Sequence, residues 1–372
     1  MTPSSSPRGE RRAAGTLGAV VLFGVPLRFH FTFLLLAVVL AIAGLAGSDS
    51  AWLEIVYIAA IFTSVVFHEL GHVLVARGYG IRTIEIVLYP IGGVARLVRS
   101  PRPGDELWIA LAGPAVNVAI WLVSAVVLWA AADGRQPSWL DATGAWMIRR
   151  VARTNLFLAA FNMLPAFPMD GGRVLRSLLA FWKGEDEATR LAVRIGRGLA
   201  LCLGIYGLVT GKLILLFVAF FVYSGATQEG LTAQSHSLSV GWPVRAAMVT
   251  EYRTLNHGNT VREAGDLLLA TSQQDFPVLH GEQVVGLLDR GSLLKAMADI
   301  GPESYVATVM RRDYLALSPE TDLAEALPML GEAGVSALVI EGERLVGMLT
   351  RDNLTEFLVM RRIGVNPSSR TA

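Results

Sequence analysis

Cysteine is nearly absent. The single one, Cys202, excludes an intramolecular disulfide and a cysteine-rich metal site. Charge is scarce too: 17% of residues are Asp, Glu, Lys or Arg, against about 25% in ordinary soluble domains. The net charge of +1 leaves no global basic footprint, so nucleic acid is not expected as a partner. The N-terminus also lacks the layout of a cleaved signal peptide. Its first long apolar run begins only near Phe31, with no convincing small-residue cleavage site after it. Ser, Pro and Arg crowd the stretch from Met1 to Ala14, a composition that predicts disorder over 1–14, and the tail 364–372 is expected to be disordered as well.

What fills the chain is apolar: 53% of residues are hydrophobic and mean hydropathy is +0.48. Runs able to cross about 30 Å of hydrocarbon are expected at 31–46, 51–76, 106–132, 151–167, 191–210 and 213–223, about six spans in all. Before them, Gly18 to His30 reads as a strand or hairpin at the membrane surface. Arg77, Arg82, Arg96, Arg99 and Arg102 follow the second run, whereas the loop after the first is Gly47-Ser48-Asp49-Ser50. Basic loops stay cytoplasmic, which predicts a multi-pass cell-membrane protein with both termini in the cytoplasm. Arg149, Arg150 and Arg153 fall on the predicted outer side and conflict with that scheme.

Inside the second run stands His68-Glu69-Leu70-Gly71-His72. Histidines four apart share one helix face, so both imidazoles can reach one ion. Glu69 lies beside the first, where it can deprotonate a water. This is the H-E-x-x-H arrangement of zinc peptidases, placed where ionisable groups are costly and usually functional. The rival reading is a His/Glu cluster satisfied by helix packing.

Further along, Leu111-Ala112-Gly113-Pro114-Ala115-Val116-Asn117 puts small residues and an amide into an apolar helix. Gly113 and Ala112 permit close helix contact. Asn117 either braces a helix or presents its amide to a substrate carbonyl. Asn162-Met163-Leu164-Pro165-Ala166-Phe167-Pro168-Met169-Asp170-Gly171-Gly172 predicts a helix broken at two prolines, with Asp170 at the break. Such backbone is tolerated at membrane depth where it is buried in protein or lines a wet cavity. Catalytic zinc takes three protein ligands and keeps one open position, and His68, His72 and Asp170 supply that count. A helix-capping role for Asp170 is the alternative. Ile81 to Leu97 predicts strands and a tight turn at Pro90-Ile91-Gly92-Gly93, with the strand near Glu85 offering an edge to an extended peptide.

Taken together, these motifs resemble the site-2 protease family of intramembrane zinc metalloproteases over about Gly18 to Gly230. The resemblance implies that His68, His72 and Asp170 hold one Zn2+, that Glu69 is the catalytic base, and that Asn117 and Asn162 bind substrate. It further implies cleavage within or next to transmembrane segments of membrane-anchored regulatory proteins, anti-sigma-like ones among them. Met169-Asp170-Gly171 replaces the family's usual Leu-Asp-Gly.

Near Glu229 the composition turns to that of a soluble domain. Val284-Val285-Gly286-Leu287-Leu288 and Leu345-Val346-Gly347-Met348-Leu349 each follow a Gly-Glu pair and a helical stretch. Two units, 241–300 and 301–363, therefore read as strand–helix–strand–strand–helix after a linker at 231–240. They resemble tandem CBS domains. That likeness implies an adenine nucleotide between the units, with Thr350 at one matching position, or else a dimerisation or docking module. The expected fold class is thus a polytopic α-helical membrane protein with a short N-terminal β element and a membrane-associated hairpin, carrying a soluble α/β CBS pair. The competing function is a CBS-regulated cation transporter, although no inverted repeat is evident among the spans.

Overall fold

A computed structural model describes residues 16–47, 51–89, 92–97, 101–132 and 142–365. The expected disorder at 1–14 and most of the tail lie outside the described residues, as do Pro90 and Ile91. Two compact units divide the chain, Met1–Gly230 and Leu231–Ala372.

The first unit opens with strands β1 (Thr16–Leu22) and β2 (Val25–His30). Phe23 and Gly24 join them with positive φ angles of 49° and 80°, as a two-residue hairpin turn requires. Helices α1 (Phe31–Gly47) and α2 (Ala51–Gly78) lead to β3 (Thr83–Tyr89) and β4 (Gly92–Leu97). The four strands form one sheet in chain order, with β2 and β3 parallel. Val25, Leu27, Ile86 and Leu88 from that sheet pack on Leu70 and Val73 of α2, so the sheet is fastened to the helix bearing the two histidines. Glu85 lies on the inner strand β3, where Arg28 and Arg96 pair with it at 2.8 and 2.9 Å. Among the described residues the edges of this sheet are β1 and β4, so β3, the strand of Glu85, does not offer the edge expected for an added peptide.

Five helices follow: α3 (Pro103–Ala132), α4 (Ala142–Asn162), α5 (Asp170–Lys183), α6 (Glu185–Thr210) and α7 (Leu213–Ser239), the last of which runs on beyond Gly230. Among the described residues, α2, α3, α6 and α7 are long and apolar enough to cross a membrane. α1 is more apolar than any of these but spans only 17 residues. α4 begins earlier than the expected fourth span and carries the three arginines. Arg150 pairs with Glu54 of α2 and stacks 3.8 Å over the Tyr57 ring, which neutralises one of the charges that conflicted with the charge rule. Arg149 and Arg153 are exposed. α7 passes through the stretch expected as a linker, because no Gly or Pro interrupts Leu231 to Ser239 and the helix ends only before Gly241, with φ 77°.

The second unit contains β5 (Leu255–Asn256), α8 (Val261–Ala270), β6 (Asp275–His280), β7 (Gln283–Asp289) and α9 (Arg290–Asp299). After the short α10 (Val306–Val309), the pattern returns as β8 (Ala316–Leu317), α11 (Leu323–Ala333), β9 (Ala337–Glu341), β10 (Arg344–Leu349) and α12 (Arg351–Arg362). Two three-stranded sheets result, joined by fully buried Leu287, Leu338 and Met348. The leading segments are exchanged. Val244 and Ala247 lie in the core of the second repeat, and Val306 lies in that of the first. Val249 pairs with Met348, and Arg311 with Leu287. These crossings explain the repeated glycine: a Cβ on Gly286 or Gly347 would lie 2.8 Å from the Arg311 carbonyl oxygen or 2.9 Å from that of Val249.

Candidate metal centre

Position is set first by α2. Ser64, His68 and His72 fall at successive turns on one face, and buried Asn155 of α4 donates to the Ser64 hydroxyl at 3.1 Å. The two Nε2 atoms stand 3.1 Å apart. Gly71 lets α3 close in, since a Cβ there would meet Val116 at 2.8 Å and the Ala112 carbonyl oxygen at 2.9 Å. At Gly113 the approach is tighter: a Cβ would lie 2.2 Å from His72 Nε2 and 2.6 Å from His68 Nε2.

Asp170 arrives as the first residue of α5. Gly171 and Gly172 allow this, because a Cβ on either would overlap the backbone of the broken segment at Met163–Leu164 or Ala166–Phe167. Asp170 Oδ2 then lies 3.2 Å from His68 Nε2 and 3.3 Å from His72 Nε2. His68, His72 and Asp170 are all buried, and they are the one set of this kind among the described residues.

The other ring nitrogens decide the chemistry. His72 Nδ1–H donates to the Ile109 carbonyl at 2.6 Å, and His68 Nδ1–H donates to Asn117 Oδ1 at 3.3 Å. With both Nδ1 atoms acting as donors, each Nε2 presents a lone pair. Three acceptors therefore converge in a buried place, and a cation is the partner such a set needs. Atoms bonded at about 2.0–2.1 Å to one tetrahedral ion lie about 3.3 Å apart, which the observed triangle matches. A ring N–H fixed by a carbonyl or amide is also the usual support of a metal-bound histidine. The residues fit zinc.

Glu69, 8% exposed, sits beside this triangle. The Gly93 N–H at the start of β4 donates to its Oε1 at 3.0 Å. A Cβ on Gly93 would fall 2.4 Å from the Glu69 carboxyl carbon, so the strand lies directly on the carboxylate.

The zinc metalloprotease MJ0392 of Methanocaldococcus jannaschii is 32% identical over 337 residues, covering 90% of this chain and 93% of the relative. The chain belongs to peptidase family M50, the site-2 proteases. The family model for peptidase M50 matches this site-2 protease at residues 56–145 and 143–203, and a CBS domain model matches 306–360. A putative zinc metalloprotease of Synechocystis, sll0528, is 28% identical over 365 residues, with 91% and 94% of the two chains covered. The solved site-2 protease of M. jannaschii is 37% identical, covers 58% of this chain and 95% of its own, and superposes with a TM-score of 0.46. The chain is thus a zinc metalloprotease with membrane helices and a CBS domain.

The residues expected at the site distribute unevenly. His68, His72, Asp170 and Glu69 come together. Asn117, 1% exposed, reaches the site through His68. Asn162 closes α4 just before the broken segment and is half-buried. Thr350 caps α12, its hydroxyl accepting from the Asn353 N–H at 3.1 Å. Gly113, expected to permit close helix contact, makes that approach against the two histidine rings themselves. Gly93, the Ile109 carbonyl and Asn155 carry no expectation from the sequence as parts of the centre.

Proposed function

We propose that this site-2 protease hydrolyses peptide bonds within or next to transmembrane segments of membrane-anchored regulatory proteins, with His68, His72 and Asp170 as its zinc ligands. The observation that carries the reading is the buried triangle of two ring nitrogens from α2, a helix long and apolar enough to cross a membrane, and a carboxylate oxygen from α5, with Glu69 beside it. When bound, zinc lowers the pKa of water toward about 7 and polarises a carbonyl. Glu69 takes a proton from the attacking water and returns it to the leaving amine. Asn117 holds the His68 ring, and Asn162, at the mouth of the Pro165–Pro168 break, contacts substrate. A transmembrane helix hides its carbonyls in internal hydrogen bonds, so the substrate unwinds and lies extended along the edge of β4.

The basic segment after α2 supports the reading that this is a multi-pass cell-membrane protein with both termini in the cytoplasm. The CBS pair there serves as a regulatory module, with an adenine nucleotide between the repeats near Thr350 and a homodimer formed through the pair. Co-expression with candidate single-span proteins tests the activity. Wild type is expected to cut within or beside the span, and Glu69→Gln to bind zinc without cutting. Cleavage retained by Glu69→Gln would overturn the assignment of the base.

A further inference from the structure

One stripe of α3 does more than face the histidines. Ile109, Gly113 and Asn117, at spacings of four, hold His72, face both rings and hold His68 in turn. Glu106 begins the same stripe, three residues before Ile109. It is buried, and it accepts from Arg176 of α5 through both carboxylate oxygens, Nε to Oε2 at 3.2 Å and Nη2 to Oε1. Ser177 also donates to Glu106, at 3.2 Å. The third side of the guanidinium meets Glu229 of α7, and its Cζ lies 5.1 Å from the centroid of the Phe167 ring in the broken segment.

Arg176 stands six residues after Asp170 on the same helix, about 9 Å along its axis. α5 has no side-chain cap at its start, and Met169 before it contributes none. Among the described residues, no polar side chain outside the metal triangle holds the Asp170 carboxylate, so its position follows the axial position of α5. That position is set at the start of α5 by the packing of Gly171 and Gly172 on the broken segment and, two turns on, by the fork between Arg176 and Glu106, a bidentate pairing that specifies direction as well as distance. The helix that aims the two imidazoles therefore also helps set the register of the helix that brings the third ligand.

We propose that Arg176, clamped between Glu106 and Glu229, is a positioning residue that holds Asp170 in register with His68 and His72. This rests on the metal assignment above and adds the device that maintains it.

Full-length protein loaded with zinc, challenged with excess chelator, supplies the test. Wild type is expected to release one zinc per chain slowly. Arg176→Gln and Glu106→Gln should release it about 10- to 100-fold faster, the range seen when a support of a metal ligand is lost. Arg176→Lys should recover part of the difference. On a transmembrane substrate these variants should lose kcat with KM little changed, a split that general loosening of the fold would not produce. Should Arg176→Gln fail to fold, Glu106→Gln decides, since it keeps the side-chain volume and one acceptor. Wild-type release rates in the folded variants would overturn the proposal. Wild-type protein that purifies without zinc would instead overturn the metal assignment beneath it.

Discussion

Replacing Gly113 by alanine should empty the metal centre while leaving the fold in place. The added methyl carbon would lie 2.2 Å from His72 Nε2 and 2.6 Å from His68 Nε2, close to the distance of about 2.0–2.1 Å at which zinc binds nitrogen. Methyl and ion compete for one place. Retreat of α3 is opposed, because the same helix holds the two Nδ1 atoms through Ile109 and Asn117. Losing such supports weakens metal binding about 10- to 100-fold. Direct overlap comes on top, so affinity should fall at least about 100-fold, or about 2.8 kcal/mol. Gly104→Ala, on the first turn of the same helix with nothing within 4 Å of its Cβ, serves as control. Elemental analysis after dialysis against buffered zinc gives the result. One zinc per chain in Gly113→Ala, held as tightly as in wild type, would refute the reasoning.

Other expectations follow from the same contacts. Gly93→Ala should abolish cleavage while zinc stays bound, because its Cβ would overlap the Glu69 carboxyl and not the metal triangle; activity and metal content measured on one preparation check this. Gly347→Ala should destabilise the CBS pair by about 1–3 kcal/mol of strain, read as a lower melting temperature, without altering zinc content, since the Val249 carbonyl oxygen lies 2.9 Å from the new methyl. Glu263 is held below the usual carboxylate range, chiefly by the Thr260 N–H and then by Asn259. Its contribution to the start of α8 is therefore present above its unfolded value and is lost as pH falls through the lowered one. Amide exchange across Thr260–Glu263, corrected for intrinsic rate, should show protection falling with acid in wild type and much less dependence on pH in Glu263→Gln.

Much of the centre was legible because its chemistry is local. Histidines four apart suggest an ion site by spacing, and the carboxylate after two prolines and before two glycines stands out as a broken helix, although its pairing with them rests on the three-ligand count of catalytic zinc and on the family resemblance. The supports were less legible. The Ile109 carbonyl has no side-chain signature, and Asn155 reads as one more polar residue until Ser64 is seen opposite. Gly93 looked like turn chemistry, but its main task is to let a strand lie on Glu69. The spans at α2 and α3 followed from apolar length. The last was underestimated, because polarity after Tyr223 suggested an end where the backbone had no reason to stop. The exchange of leading segments between the CBS repeats was hidden for a different reason. Pairing of Val249 with Met348 bridges distant parts of the chain, and nothing local encodes it.

The central claim is that two imidazoles and the Asp170 carboxylate hold one zinc ion within the membrane-embedded unit. Zinc-edge X-ray absorption on the purified full-length protein, compared with Asp170→Ala, tests it most directly. The account predicts two imidazole donors with oxygen completing the shell at about 2.0–2.1 Å, and a changed or lost shell in the variant. A wild-type spectrum with fewer than two imidazoles, or one unaltered by removing Asp170, would contradict it.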